Sequence, residues 1–419
     1  MKRPIHRRHG ASQVASLLTT FPVVVVSGAR QVGKSTLVEA IVAERGGTYA
    51  TLDDISVRSE ALADPRAFVT GRPGLLAIDE VQLAPELLHA IKLEVDRKQD
   101  PGRFLLTGSA NLLRMRTVGE SLAGRSAWVE LGPLAWSERL DATLPSTLDD
   151  LFSSPDATAF VRGLAPPSPS RLAQARKLAV EGSMPGTTQL DPSARRAWYQ
   201  GYRQTFLERD LRQIAQIENL PQFNRLLTLA SLRSSLLLNR SALAAECGLP
   251  IPTLRRYLDL LEVAWQFFEL PPYYANVGKR LVKTPKLYAN DVGLVAQLGA
   301  IESWEEASEQ GRAGALFETW AVAEVRALDR LSPRPSVTTF WRTSTGREID
   351  LVLERGNKLV AIEFKAAATV TEADTVALRE LQQLLGARLR MAVVACMIPK
   401  AEVLGQRLCA VPISSLLGV

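Results

Sequence analysis

Little in this sequence suits disulfide cross-linking, metal binding through nitrogen or sulfur, or passage through a membrane. Three cysteines (Cys247, Cys396, Cys409) and three histidines (His6, His9, His89) are spread over 419 residues. The cysteines lie far apart without metal-type pairing, so reduced thiols in a cytosolic protein are expected. The histidines form no ligand cluster, which argues against a histidine-held metal. No apolar run approaches the roughly 20 residues that cross a bilayer; the longest, such as Phe21–Val26, are strand-sized. The basic opening MKRPIHRRHG is followed by no signal-type apolar stretch, so no leader peptide is expected. Internal repeats and low-complexity arrays are also missing. A cytoplasmic protein with no membrane partner is the expectation.

What is present is ordinary globular material, 46% hydrophobic and 22% charged, in a chain long enough for two or three domains. A formal net charge of +6 suits a polyanionic partner such as DNA or RNA, although charge alone does not name one.

Residues 1–140 alternate short apolar runs with helical stretches, the rhythm of an α/β domain. Strands are expected at Val23–Ser27, Thr48–Leu52, Leu75–Ile78, Arg103–Thr107 and Ala127–Leu131. Most are continuously apolar, as parallel strands covered on both faces are. Between about 141 and 170 the pattern breaks: Pro145, Pro155, Pro166, Pro167 and Pro169 with several serines read as a linker or loop. Residues 171–265 are mostly helical by periodicity. A β-like stretch WQFFELPPYY and a basic hairpin candidate NVGKRLVKTPKLYA follow, then a long helix from about 310 and strands at 338–343, 348–354 and 358–365.

Gly28-Ala29-Arg30-Gln31-Val32-Gly33-Lys34-Ser35, with Thr36 after it, fits G-x-x-x-x-G-K-[ST] between a strand and a helix. Glycines let successive backbone N–H groups and the helix N-terminus wrap round phosphates. Lys34 reaches the β- and γ-phosphates of ATP, and Ser35 offers its hydroxyl to Mg²⁺. The apolar strand Leu75–Ile78 ends in Asp79 and Glu80. On this reading Asp79 holds the Mg²⁺ shell and Glu80 orients and deprotonates the attacking water; the bland alternative is two acids capping a helix near Ala84. A polar side chain after the strand Arg103–Thr107 would sense the γ-phosphate, and Thr107, Ser109 or Asn111 can fill that role. Arg125 reads either as an arginine finger, in cis or from a neighbour in a homo-oligomer, or as a solvated surface arginine.

Together GARQVGKS, IDEVQLAPEL, LLTGSANLL and SLAGR resemble the ATPase domain of prokaryotic AAA-type (AAA+ superfamily) P-loop ATPases that carry a C-terminal domain of unknown function. The resemblance implies a five-stranded parallel core. It extends to Trp198, Tyr202, Thr205 and Leu207-Glu208-Arg209-Asp210, and to Pro285-Lys286-Leu287-Tyr288 and Asp291-Val292-Gly293-Leu294.

Ser241–Glu246, the Gly248 turn and Thr253–Leu261 have helix-turn-helix spacing, and the β-like segment after them would complete a winged helix. Arg255 and Arg256, with Lys279, Arg280, Lys283 and Lys286 on the hairpin, would meet nucleic acid. The alternative is a winged helix used only for packing or as a lid.

In the C-terminal region Glu318 sits on a helix, Asp350 on a strand, and Glu363 and Lys365 on one face of a second strand. A turn near Gly356 and Asn357 would bring the two strands together. This order resembles the PD-(D/E)XK nuclease core. Glu318, Asp350 and Glu363 would then bind Mg²⁺, with Lys365 as the catalytic cation; the plain alternative is a cross-strand Glu–Lys pair that only stabilises a sheet.

The expected fold is therefore multidomain α/β. Residues 1–140 form a P-loop NTPase domain of AAA type, 141–195 a linker and helical lid, 196–300 a helical or winged-helix domain, and 301–419 an α/β restriction-endonuclease-like domain. The expected function is Mg-dependent ATP binding and hydrolysis coupled to a nucleic-acid-binding or nuclease-like C-terminal domain. The rival is an ATP-dependent switch whose C-terminal domain is a catalytically inactive partner-binding module.

Overall fold

A computed structural model describes residues 6–108, 122, 124–206, 217, 219–274 and 283–419. Ser109, Asn111, Leu207-Glu208-Arg209-Asp210, Lys279 and Arg280 lie outside these residues. The chain divides into two compact units, Met1–Leu134 with Asp259–Gln266, and Ala135–Leu258 with Phe267–Val419. No helix among the described residues is long and apolar enough to cross a membrane.

The first unit is built on five parallel strands, β1 (Val23–Ser27), β2 (Thr48–Thr51), β3 (Leu76–Asp79), β4 (Phe104–Gly108) and β5 (Ser126–Glu130), in the spatial order β2-β3-β4-β1-β5. This is the five-stranded core that the resemblance implies. The four valines of β1 are all buried, because strands lie on both sides of it and side chains pack on both faces. Val23, Val25, Leu76, Ile78, Phe104 and Leu106 share one cluster with Leu87, Leu88 and Ile91 of the helix Glu86–Arg97. Since β1 and β3 are central and parallel, their C-terminal ends open on one edge of the sheet, where ligands of such sheets bind.

In the second unit the stretch 141–170 is not the loop its prolines suggested. It contains the helices Thr147–Ser153 and Ala157–Gly163, with Leu148, Leu151, Phe152 and Phe160 buried. Asp156 caps the second by accepting from Ala159 N at 2.8 Å. Pro169 opens a third helix, Pro169–Glu181, at a position where proline costs no hydrogen bond. Proline density here marks helix starts.

The helices Arg240–Cys247 and Ile251–Val263 flank Gly248, whose φ of +65° turns the chain between them. β6 (Phe267–Leu270) pairs antiparallel with β7 (Lys286–Ala289). The Asp291 signature proves to be a packing device. Asp291 accepts from Tyr199 OH at 2.6 Å, Ser183 N at 2.8 Å and Leu294 N at 3.2 Å. A side chain at Gly293 would start 2.1 Å from Tyr199 OH, so glycine permits the approach.

The C-terminal sheet has six strands in the order β12-β13-β11-β10-β9-β8: β8 (Val337–Arg342), β9 (Glu348–Arg355), β10 (Lys358–Lys365), β11 (Leu389–Cys396), β12 (Glu402–Gly405) and β13 (Leu408–Pro412). The pairing of Arg355 with Lys358 leaves Gly356 and Asn357 as a two-residue turn, with Gly356 at φ +62°. Ile349, Val352, Leu359 and Ala361 pack with Leu378 and Leu381 of the helix Val376–Leu385.

Glu324, on the helix Ala313–Asp329, accepts from Trp136 N at 3.0 Å. Burial pushes its carboxyl up to about 7, the Trp136 hydrogen bond offsetting only part of the shift. A folded pKa above the unfolded one, about 4.3, means this group favours folding fully below pH 4.3 and less as pH climbs toward 7. Glu324→Gln, neutral throughout, is expected to match wild type near pH 4 and to gain up to about 3 kcal/mol on it at pH 8. Denaturant midpoints at both pH values check this; equal midpoints at pH 8 would remove the buried-charge account.

Candidate functional site

β1 ends at Ser27 and the helix Lys34–Arg45 begins seven residues later, with the phosphate-loop residues between them. Two glycines are required by geometry. Gly33 has φ +93°, and a Cβ on Gly28 would lie 2.1 Å from the carbonyl oxygen of Leu131. Ala29 and Val32 are buried, while Gln31 and Thr36 are exposed and Arg30 is half-buried. Lys34 is 4% exposed and donates from Nζ to Gly28 O at 3.0 Å and Ala29 O at 2.9 Å. Its ammonium thus lies under the loop that it would share with phosphates.

Asp79 stands at the end of β3, buried, and gathers hydroxyls from three other elements. Ser35 Oγ and Tyr49 OH each donate to Asp79 Oδ2 at 2.9 Å. Thr107 Oγ1 donates to Asp79 Oδ1 and accepts from Glu80 N at 3.1 Å. Burial, then Asp79, raises the Tyr49 phenol far above its usual value, so it stays a donor. Glu80 has φ +58°, a backbone region uncommon for a glutamate, and its Oε2 accepts from Gln82 Nε2. A hydroxyl and a carboxylate oxygen meeting at one point suit a small, hard cation bound through oxygen, so the residues fit Mg²⁺. Arg125 is ion-paired with Asp96.

The C-terminal candidates also come together, but with company. Lys365 Nζ lies 2.8 Å from Glu363 Oε1, and Phe364 N donates to Asp350 Oδ2 at 3.0 Å. Lys286, counted above among basic side chains available to nucleic acid, is instead 2% exposed, because β7 runs beside the acids. Its Nζ is 2.8 Å from Glu318 Oε1, 2.6 Å from Glu348 Oε1 and 3.1 Å from Asp350 Oδ1. Tyr288 OH donates to Glu318 Oε1 at 2.6 Å. Burial, reinforced by Asp350, raises the carboxyls of both Glu318 and Glu363. Burial lowers Lys286, but Tyr288, Asp350, Glu318 and Glu348 outweigh it and hold the ammonium protonated.

Comparisons with known proteins bear on the domains that carry these residues. Residues 20–140 match the family described as AAA domain, and residues 172–306 and 313–416 match two domains of unknown function, DUF8612 and DUF4143. The uncharacterized proteins Rv2008c of Mycobacterium tuberculosis and Mb2031c of Mycobacterium bovis are each 33% identical over 366 residues, 87% of this chain and 75% of theirs. The chain belongs to this family of AAA-domain ATPases. Among solved structures, the Walker-type ATPase paby2304 of Pyrococcus abyssi overlaps 72% of this chain and 99% of its own at 17% identity, with a TM-score of 0.45, a likeness too loose to bear on function.

Three side chains at these two sites, Arg8, Tyr49 and Lys286, were not tied to them by the sequence. Arg8 donates to Val32 O of the phosphate loop and, at 2.8 Å, to Gly132 O. In the sequence the basic opening bears only on targeting, and nothing local points it at the loop. Tyr49 was hidden in a strand of otherwise unremarkable pattern. Lys286 lay in a motif that carried the family resemblance, yet nothing local tied it to the acids. Gly28→Ala is expected to cost about 1–3 kcal/mol from the overlap with Leu131 and to weaken nucleotide binding. Melting curves with and without ATP check it; a variant as stable and as ATP-responsive as wild type would show that the close approach is not needed.

Proposed function

We propose that this AAA-domain ATPase binds Mg-ATP on residues 28–36, hydrolyses it, and uses the nucleotide state to govern its C-terminal region. The observation that carries this reading is the meeting of Ser35 Oγ with Asp79 Oδ2 at 2.9 Å, a phosphate-loop hydroxyl against a strand-end carboxylate. Backbone N–H groups of the loop and the helix N-terminus receive the phosphates. Lys34 exchanges its two loop carbonyls for phosphate oxygens. Ser35 and Asp79 hold Mg²⁺, which when bound neutralises charge on the phosphates. Glu80 orients the water and accepts its proton, and Thr107, Ser109 or Asn111 senses the γ-phosphate. Arg125 serves as a finger only if it leaves Asp96, in cis or across a homo-oligomer.

The C-terminal region admits two versions. In one, residues 196–300 are a winged helix and residues 301–419 a nuclease-like domain acting on DNA or RNA through Glu318, Asp350, Glu363 and Lys365. In the other, the chain is an ATP-dependent switch whose C-terminal domain binds a partner and cuts nothing. Lys286, seated among Glu318, Glu348 and Asp350, favours the second.

The test is ATP turnover in two variants. Lys34→Ala should lose nucleotide binding. Glu80→Gln should keep binding and lose about 10²–10⁴-fold in turnover, the scale of a lost general base. Wild-type turnover by Glu80→Gln would take the role from Glu80, and a wild-type chain inert to Mg-ATP would sink the proposal.

A further inference from the structure

Metal-dependent cleavage at the C-terminal cluster needs a divalent cation between the carboxylates. The residues around that point do not fit one. Lys286 Nζ already lies within 3.1 Å of Glu318, Glu348 and Asp350. An ammonium has three N–H donors and no acceptor, so each acid takes one. The neighbouring lone pairs are engaged too, by Tyr288 OH at Glu318 Oε1 and Phe364 N at Asp350 Oδ2. Glu363 pairs through Oε1 with Lys365 at 2.8 Å, and its buried Oε2 has no hydrogen-bond partner among the described residues. With Lys286 in place, no group of three or more His, Cys, Asp or Glu among the described residues could hold a metal ion.

Nor is Lys286 a surface side chain that has swung inward. Its strand is pinned on both sides of it: Ser235 N donates to Leu287 O at 2.7 Å, Leu287 N to Leu236 O at 3.0 Å, and Leu238 N to Pro285 O at 2.8 Å. Leu287, Tyr288 and Ala289 are all buried. A tethered cation is always present at its site, whereas a free ion must be captured from dilute solution. The lysine comes from the segment matched to DUF8612, and the acids from the segment matched to DUF4143.

We infer that Lys286 is the resident cation of this cluster, standing where a divalent metal would and clasping β7 to the helix Ala313–Asp329 and to β9. The inference rests on the nuclease-like reading only for the expectation that a metal belongs there. The clasp makes one ionic joint between two regions that family comparison treats as separate.

The probe is Mn²⁺, followed by its paramagnetic resonance signal, in full-length nucleotide-free protein carrying Asp79→Asn to disable the phosphate-loop site. Expected is a titration unchanged when Asp350→Asn is added. Adding Lys286→Met instead should lower the melting temperature and create a site for one Mn²⁺ per chain; Mn²⁺ should then recover part of the lost melting temperature, and Asp350→Asn should abolish the new site. Mn²⁺ uptake by the protein that retains Lys286, removed by Asp350→Asn, would overturn the inference and leave the nuclease version standing. A Lys286→Met protein as stable as its parent, or one without the new site, would overturn it as well. Should Lys286→Met fail to fold, the titration of the protein that retains Lys286 decides alone. Wild-type ATP turnover, measured alongside, keeps failure of the ATPase reading separate.

Discussion

A carboxylate taken out of water must be met by donors, and Asp79 is met by four hydroxyls from three elements. Ser35 comes from the helix that follows the phosphate loop, Tyr49 and Thr51 from β2 and Thr107 from β4. An unpaired charge there would be costly, so the acid draws the ends of these elements to one point. The same hydrogen bonds that satisfy it set the distance between the loop hydroxyl and the strand-end acid. In this sense the demand for a buried acid to be solvated by protein shapes the nucleotide site. Glu80, with its backbone at positive φ, is the residue next to that anchor, and Thr107 holds its N–H.

The same electrostatic rule operates in the second unit with a different answer. Four acids, Glu318, Glu348, Asp350 and Glu363, lie near two lysines, Lys286 and Lys365. In the first unit the acid meets neutral hydroxyls, which a cation can share. In the second the acids meet ammonium groups, which repel one. The two carboxylate clusters are therefore suited to different uses, and the kind of donor facing the carboxylates makes the difference.

The strands of the first unit were legible almost to the residue, since continuous apolar runs between helical stretches have few other outcomes in an α/β chain. The phosphate loop was legible because eight consecutive residues carry it. The turn at Gly356 and Asn357 was legible because period-two strands on either side leave little choice of register. The proline-rich stretch misled, because proline marks both loops and helix starts and only packing of Leu148, Leu151 and Phe160 tells which.

Sequence by itself determined the local chemistry of this AAA-domain ATPase: the loop that wraps phosphate, the acids that end β3, and the alternation that puts Glu363 and Lys365 on one face. Tertiary structure alone decided which charges meet. Lys286 is 32 positions from Glu318 and 64 from Asp350, and Arg8 is 24 from the loop carbonyl it binds. Whether a lysine faces water or three carboxylates depends on where a whole strand docks, and that docking is set by burial summed over many side chains rather than by the residues beside it in sequence.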